Sequence, residues 1–252
     1  MESVELIKRN GVGLLLLNSP KTKNALKSED MLLIRNILYR EAQSDIYALI
    51  ISGEGNVFCS GADFSELISI IGKNRKDREL QSNDMSKLCD SIQNFPLPTV
   101  CALNGSAYGG GVEIACACDF RISVPNIEVM VPPAKIGIHY HPVGIKRFLN
   151  ILGTSITKRL LLTATKISAR ELRDVGFFDQ IINDGENVIE KAHSFIEQCK
   201  ELSSEAVGGM KLSINDIVMD SMDTKSLDLR IEKALRSQYL EQRLKRIKEK
   251  NS

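Results

Sequence analysis

The chain has 252 residues, enough for one large domain or for one domain plus a small appendage, and with 43% hydrophobic and 26% charged residues its composition is that of a globular protein. Its formal net charge of +1 gives no bias toward nucleic acids or acidic membranes, and no apolar run approaches the roughly 20 residues that span a bilayer. The six cysteines form no C-x-x-C pair and no zinc spacing, and the N-terminus lacks a signal-peptide pattern, so the sequence predicts a reduced, cytoplasmic protein.

The first half of the chain predicts short buried strands that alternate with helices. Short apolar runs that end at turn residues indicate strands, and apolar residues at helical spacing after a capping residue indicate helices. The predicted strands are Val12–Leu17, Ala48–Ser52, Thr99–Leu103 and Phe120–Val124, and the predicted helices are Ser28–Ala42 and Gly111–Ala117. Because strands and helices alternate, the sequence predicts an α/β layer architecture.

From about residue 153 onward, helical periodicity prevails and strand signals become rare. The predicted helices are Ser155–Leu162, Ser168–Asp174, Asn187–Cys199, Glu205–Met219 and one long charged helix over Ser226–Lys250. The basic end of this long helix also carries glutamates, which favours a solvated or subunit-contacting surface over a nucleic-acid site. The earlier stretch Ile68–Phe95 is polar and lysine-rich, and it is the least constrained part of the chain.

Two stretches crowded with small residues each lead into a helix-like run, GEGNVFCSGADFSE at 53–66 and NGSAYGGGVEIACACDF at 104–120. Glycine lets the backbone approach a ligand, and an N–H at the start of a helix carries the positive end of the helix dipole. Two such turns could converge on one oxygen and form an oxyanion hole without any side chain. Glu113 lies three residues after Gly110, about one helical turn away, and could face the same bound atom as an acid or base.

Two nucleotide-binding motifs do not fit these glycines, whereas a purely structural role stays open. A phosphate-binding loop requires G-x-x-x-x-G-K-[ST], and no lysine follows the glycines here. A dinucleotide fingerprint requires G-x-G-x-x-G, which GGGVEI does not fit. Gly109–Gly111 could also serve only the close packing of a helix on a strand.

The motifs FCSGADFSEL and PTVCALNGSAYGGGVEIACACDFRIS resemble the crotonase, or enoyl-CoA hydratase/isomerase, superfamily, as do NSPKTKNAL and LLLTATKISARELRDVGFFDQII. The matches keep their order and spacing from about Val4 to Ile182. The resemblance implies an α/β fold with a ββα spiral core over residues 1–190 and a C-terminal helical trimerisation region over 191–252. It also implies a lyase of fatty acid metabolism that acts on acyl-CoA thioesters as a trimer or dimer of trimers, without a cofactor.

The resemblance also implies roles for individual residues at matching motif positions. The thioester carbonyl would accept hydrogen bonds from the backbone N–H groups of Ala62 and Gly110, and Glu113 would be the acid or base. The implied substrate-binding residues are Lys23 for the CoA phosphates, the backbone of Ala25 for adenine, and Asp63, Phe64 and Ser65 along the pantetheine path.

One segment, VMVPPAKIGIHYHPVGIKRF, departs from the hydratase pattern. Hydratases of the family use a second glutamate at the position that Pro133 occupies here, and proline has no proton to give. The same segment resembles methylmalonyl-CoA decarboxylases, which implies that Tyr140 orients a substrate carboxylate or reprotonates carbon. Those enzymes carry a histidine where this chain has Ala62.

The two histidines on either side of Tyr140 allow a further interpretation. His139 and His141, two residues apart on a strand-like segment, would face one side, but no third ligand is evident and no metal is expected. They could instead position a substrate carboxylate. Hydration or dehydration with Glu113 and decarboxylation with Tyr140 are almost equally supported, hydration ranking first, and a non-catalytic acyl-CoA-binding protein is the alternative of another class.

Overall fold

The computed structural model describes residues 2–70 and 83–250, and its strands form two sheets. The first sheet has the order β1-β2-β3-β5-β7-β10, with β1 at Val4–Arg9, β2 at Val12–Leu17, β3 at Ala48–Gly53, β5 at Thr99–Leu103, β7 at Phe120–Ser123 and β10 at Gln180–Ile181. The second has the order β4-β6-β8-β9, with β4 at Val57–Cys59, β6 at Ser106–Tyr108, β8 at Glu128–Met130 and β9 at Ile167–Ser168. Antiparallel pairing is confined to β1 with β2 and β8 with β9 among these strands.

The chain forms a spiral because successive passes add one strand to each sheet. The pairs β3–β4, β5–β6 and β7–β8 each contribute one strand to the first sheet and the next to the second, and neighbouring passes pair in parallel. The helices are α1 at Ser28–Glu41, α2 at Phe64–Ile70, α3 at Asp84–Gln93, α4 at Gly110–Ala117, α5 at Pro142–Lys158, α6 at Ala169–Asp174, α7 at Val188–Ile196, α8 at Ser204–Val218, α9 at Thr224–Leu235 and α10 at Gln238–Lys250.

The central strands are apolar along their whole length because helices cover both faces of the first sheet. Leu49 and Ile51 of β3 belong to a core with residues of α1, α3 and α4, whereas Ile50 faces Ala192 and Ile196 of α7. Strands buried on both faces give continuous apolar runs rather than alternation. The strand predictions rest on this pattern, and those for β2 and β5 agree with the structure in both bounds.

Several other predicted elements differ from the structure at one end, and one predicted helix is divided in two. The strand and helix predictions that involve β3, β7, α1 and α4 are each wrong by one residue at one end. The single helix over Ser226–Lys250 is wrong, because α9 ends at Leu235 and α10 begins at Gln238. Ser237 lies at this break, and its hydroxyl accepts a hydrogen bond from the N–H of Leu240 at 3.3 Å, which caps α10.

The structure describes only part of Ile68–Phe95, the stretch predicted to be least constrained. Residues 71–82 lie outside them, whereas α3 occupies Asp84–Gln93 with Leu88, Cys89 and Ile92 buried. Across residues 2–70 and 83–250, no helix combines the length and the apolar character needed to cross a bilayer.

Candidate active site

The two small-residue turns meet at the second sheet, where β4 and β6 end side by side. Gly61 follows β4 with φ +87°, and a Cβ added to it would lie 2.6 Å from the backbone nitrogen of Gly110. Gly109 precedes α4 with φ 52° and ψ −121°, a backbone conformation that L side chains rarely adopt. The convergence expected from the sequence therefore requires glycine on both sides.

The N–H groups of Ala62 and Gly110 are free within the described part of the chain, where neither donates a hydrogen bond. Ala62 forms a parallel bridge with Leu26, in which Leu26 N–H donates to Gly61 at 2.8 Å and Asp63 N–H donates to Leu26 at 2.8 Å. In a parallel bridge the central residue points its own N–H away from the partner, so that of Ala62 faces away from Leu26. The Gly110 N–H is a first-turn amide of α4, which has no carbonyl within its own helix to bond.

A cavity of about 580 Å³ opens beside these turns. Its volume lies in the range of small-molecule sites. Most of the residues that the sequence assigns to the site line it, namely Ala25, Ala62, Asp63, Phe64, Ser65, Gly110, Glu113 and Tyr140. Pro133 also lines it. Lys23 is exposed and does not line it, and its carbonyl oxygen accepts a hydrogen bond from Ser60 N–H at 2.9 Å.

Glu113 lies at the inner wall of the cavity with both carboxylate oxygens engaged. Its side chain is 2% exposed, and Oε1 is 2.7 Å from Nη1 of Arg147. Oε2 accepts a hydrogen bond from the hydroxyl of Tyr140 at 2.7 Å. Desolvation, and then the charge of Glu113, raises the pKa of the Tyr140 phenol well above its ordinary value. Tyr140 therefore donates a hydrogen bond to Glu113 from the wall of the cavity.

Arg147 connects Glu113 to α3 and is a site residue that the sequence analysis missed. Its Nε donates to Oε1 of Gln93 at 2.7 Å, and its Nη2 pairs with Asp90. The missed signal was an arginine on an apolar helical face, because Arg147 lies between Gly144 and Phe148 on the buried side of α5. Two residues of α3, Met85 and Ser86, also line the cavity, and no sequence pattern distinguished them.

Gly144 lets α5 approach this group closely. A Cβ added to Gly144 would lie 2.5 Å from Cε1 of Tyr140 and 2.9 Å from Oε1 of Glu113. The half-buried ring of Tyr140 packs against the buried ring of Phe148, with centroids 5.2 Å apart, which fixes the tyrosine from its other side. The glycine thus determines how near Arg147 comes to Glu113.

The segment with two histidines is not a strand, which corrects the expectation that they face one side. Residues 133–136 form a 3₁₀ turn, and His141 is the N-cap of α5. Nδ1 of His141 accepts from Val143 N–H at 3.4 Å and is 3.3 Å from Oγ of Ser86, whereas Nδ1 of His139 donates to the carbonyl of Tyr140 at 2.7 Å. In the described ranges, His, Cys, Asp and Glu side chains form no group of three that could hold a metal ion.

Asp63 has a structural partner although it lines the cavity. Its Oδ1 accepts from Ser65 N–H at 2.8 Å and also pairs with the Ser65 hydroxyl, at the start of α2. These hydrogen bonds, the hydroxyl one first, lower the pKa of Asp63. The carboxylate of Asp63 therefore stabilises the turn that presents the Ala62 N–H.

The two sheets, the ββα spiral and the C-terminal helices define an α/β protein of the crotonase fold, which confirms the predicted fold class. An enoyl-CoA hydratase from Bacillus anthracis superposes with a TM-score of 0.87 at 24% sequence identity, over 99% of this chain and 97% of that chain. The likeness extends through α7, α8 and α9.

The chain belongs to the enoyl-CoA hydratase/isomerase family, whose model matches residues 7–249. The protein named "Probable enoyl-CoA hydratase" from Bacillus subtilis (strain 168) is 30% identical over 211 residues, which cover 83% of this chain and 81% of that protein. Ethylmalonyl-CoA decarboxylase from Mus musculus is 28% identical over 216 residues, which cover 84% of this chain and 66% of that protein. The family inferred from the small-residue turns is thus confirmed, and its members similar to this chain bear names of two different reactions.

Proposed function

We propose that this protein is an enzyme that binds acyl-CoA thioesters and stabilises an enolate at the backbone N–H groups of Ala62 and Gly110. The observation that carries the proposal is that these two free amides converge beside a cavity that also contains a buried carboxylate. Negative charge develops on the thioester oxygen when a bond at Cα breaks or forms, and loss of one amide donor typically costs about 2.7–4 kcal/mol of activation free energy.

The CoA portion would lie between the Ala25 backbone and the α2 turn, with Asp63, Phe64 and Ser65 along the pantetheine arm. The support for this path is that all four residues line one cavity. Lys23 is exposed two residues before Ala25, and its ammonium group would meet the phosphates outside the cavity.

Among the family's reactions, the state of Glu113 favours decarboxylation of a malonyl-type acyl-CoA. In this reaction the bond from Cα to the carboxylate breaks, CO₂ leaves, and the electron pair moves to the thioester oxygen as an enolate. A solvent proton then adds to Cα, so no side chain has to remove a proton. This fits a site in which both oxygens of Glu113 are engaged and Pro133 replaces the second glutamate.

Hydration or dehydration of an enoyl-CoA is the second candidate. It is favoured by the position of Glu113 in the cavity wall, three residues after Gly110. A carboxylate has about four lone-pair positions, so Glu113 could still accept a hydrogen bond from an attacking water. The proton for Cα would have to come from solvent, because Pro133 cannot supply it.

Turnover of crotonyl-CoA and ethylmalonyl-CoA by the same purified enzyme separates these reactions. A decarboxylase releases CO₂ from ethylmalonyl-CoA, whereas a hydratase removes the absorbance of the conjugated thioester of crotonyl-CoA. The Glu113→Gln variant sharpens the result, since we expect it to abolish hydration and to retain decarboxylation. Tight acyl-CoA binding without turnover of either substrate would instead support a non-catalytic binding protein, and absence of binding would refute the acyl-CoA proposal.

Assembly into a trimer or a dimer of trimers through the C-terminal helices is part of the proposal. Apolar side chains of α8 and α9 are exposed in the single chain, namely Met210, Ile214, Ile217, Leu229, Ile231 and Leu235. Exposed apolar area of this kind marks an interaction surface. Light scattering during size-exclusion chromatography gives the mass in solution, and a monomer would contradict this part of the proposal.

A further inference from the structure

Arg147 lies behind Glu113, on the side away from the substrate cavity. It does not line the 580 Å³ cavity but lines a second one of about 570 Å³, which the side chains of α8 also line. Its side chain is 2% exposed, and its Nη1, Nη2 and Nε contact Glu113, Asp90 and Gln93. Arg147 therefore does not face the substrate cavity, and Glu113 is the cavity-lining residue that it contacts directly.

Arg147 pairs with two carboxylates, Glu113 and Asp90, and of these two Glu113 is the buried one. Glu113 and Arg147 are each 2% exposed in their side chains, whereas Asp90 is 49% exposed. Water and salt screen the half-exposed Asp90, but they screen the buried carboxylate far less. An arginine stays protonated in proteins, so the buried pair carries no net charge while Glu113 is ionised.

We propose that Arg147 determines the substrate class by neutralising Glu113, so that the cavity accepts an acyl-CoA whose acyl group carries its own carboxylate. This inference rests on the proposed function and assigns a positioning role to a residue that does not touch the substrate. An uncompensated Glu113 would repel a malonyl-type carboxylate in the same cavity. Two unit charges about 6 Å apart at an effective dielectric constant of 20–40 repel enough to weaken binding about 10- to 100-fold.

The test compares the binding of two acyl-CoA probes that differ in charge at Cα. One is propionyl-CoA, and the other is propionyl-CoA with a sulfonate at Cα, which has the negative charge of the substrate but cannot leave as CO₂. Isothermal titration calorimetry gives the Kd of each probe, and the Kd of the sulfonate probe divided by that of propionyl-CoA reports the effect of the charge alone. A general loss of packing or stability weakens both probes and leaves this ratio unchanged.

We expect the Arg147→Gln variant to raise the ratio about 10- to 100-fold. The other titratable groups near Glu113 or in the cavity are unchanged in the variant, namely Tyr140, Cys89, Cys116, Asp90, Asp63, His139 and His141. Asp90 also loses its partner Arg147 in the variant, but it is half-exposed, so water and salt screen its charge.

Three further variants separate charge from structure. The double variant Glu113→Gln/Arg147→Gln has no buried charge pair, and we expect the wild-type ratio. Arg147→Lys keeps the positive charge but not the planar fork, so its ratio should lie closer to the wild type than that of Arg147→Gln. Glu113→Gln alone leaves the arginine in excess and should lower the ratio. Arg173→Gln removes an exposed arginine that does not line the cavity and should change nothing.

Two results would overturn the inference: an unchanged ratio in Arg147→Gln, or the same raised ratio in the double variant. If Arg147→Gln does not fold, an unchanged ratio in Glu113→Gln overturns it. The proposed function fails separately: binding of neither probe refutes acyl-CoA binding, and absence of CO₂ release from ethylmalonyl-CoA refutes decarboxylation.

Discussion

The substitution Gly144→Ala tests the close packing of α5 on the candidate catalytic residues. The added Cβ would lie 2.5 Å from Cε1 of Tyr140 and 2.9 Å from Oε1 of Glu113, which is closer than real Cβ atoms come to their neighbours. Tyr140 would have to move, but Phe148 packs against its ring with centroids 5.2 Å apart. The movement would break the hydrogen bond from the Tyr140 hydroxyl to Glu113.

The magnitude follows from two costs and one gain. Overpacking typically costs about 1–3 kcal/mol, and loss of a hydrogen bond to a charged group costs about 1.5–3 kcal/mol. Alanine is favoured over glycine in a helix by about 1 kcal/mol, which offsets part of this. We expect a decrease of about 1.5–5 kcal/mol in the free energy of unfolding, together with weaker acyl-CoA binding.

Urea unfolding of both variants and the wild type at one protein concentration gives the measurement. Gly209→Ala is the matched control, because Gly209 also lies in a helix and its added Cβ would make an ordinary contact of 3.6 Å with Cβ of Arg230. The control should be more stable than the wild type by about 0.5–1 kcal/mol. If Gly144→Ala were as stable as Gly209→Ala, the close packing inferred for Gly144 would be refuted.

Three other substitutions test the turn, the core and the pH dependence. Gly61→Ala introduces a Cβ 2.6 Å from Gly110 N, so kcat/KM should fall about 10²- to 10³-fold. Gly185→Ala is the control, because Gly185 has a φ of +81°, similar to that of Gly61, but no atom lies within 4 Å of the added Cβ. We expect Gly185→Ala to keep normal activity, and equal losses in both variants would contradict the steric explanation. Asn24→Ala removes a buried side chain that hydrogen-bonds to the backbone of Ser19, Glu54, Val57 and Phe58. Urea denaturation should show a decrease of about 2–4 kcal/mol in the free energy of unfolding, whereas a decrease under about 1 kcal/mol would contradict this role. Burial opposes ionisation of Glu41, but the contacts with Lys8 and Arg40 outweigh it and hold the folded-state pKa below its ordinary 4.5. The ionised carboxylate therefore stabilises the fold above pH 4.5, and this stabilisation is lost as the pH falls through the lower folded-state pKa. Glu41→Gln should flatten the acid part of a curve of unfolding free energy against pH. An unchanged slope would show that other groups cause the acid dependence.

Sequence patterns predicted the long central strands but not the short ones. β2 and β5 are continuous apolar runs bounded by turn residues, so both ends were visible in the sequence. β4, β6 and β8 have three residues each, which is too short for any periodicity to appear. They are strands only because each pass of the spiral places them beside the previous one.

For the site, local motifs indicated which residues to examine, and their contacts came from the tertiary structure. The glycine turns and Glu113 stand out in the sequence because glycines and a carboxylate occupy unusual places in apolar runs. Nothing local indicated that Glu113 would pair with Arg147, which is 34 residues away. The N-cap role of His141 likewise depends on where α5 begins.

The sequence by itself determined the class of fold, the family and the two turns whose backbone can approach a ligand, because glycine spacing and apolar runs are properties of the local chain. The tertiary structure decided the charge balance of the site. The packing of α3, α4 and α5 brings Asp90, Glu113 and Arg147 together, and the electrostatic interaction of buried groups depends on distance and solvent exposure, which separation along the chain does not specify.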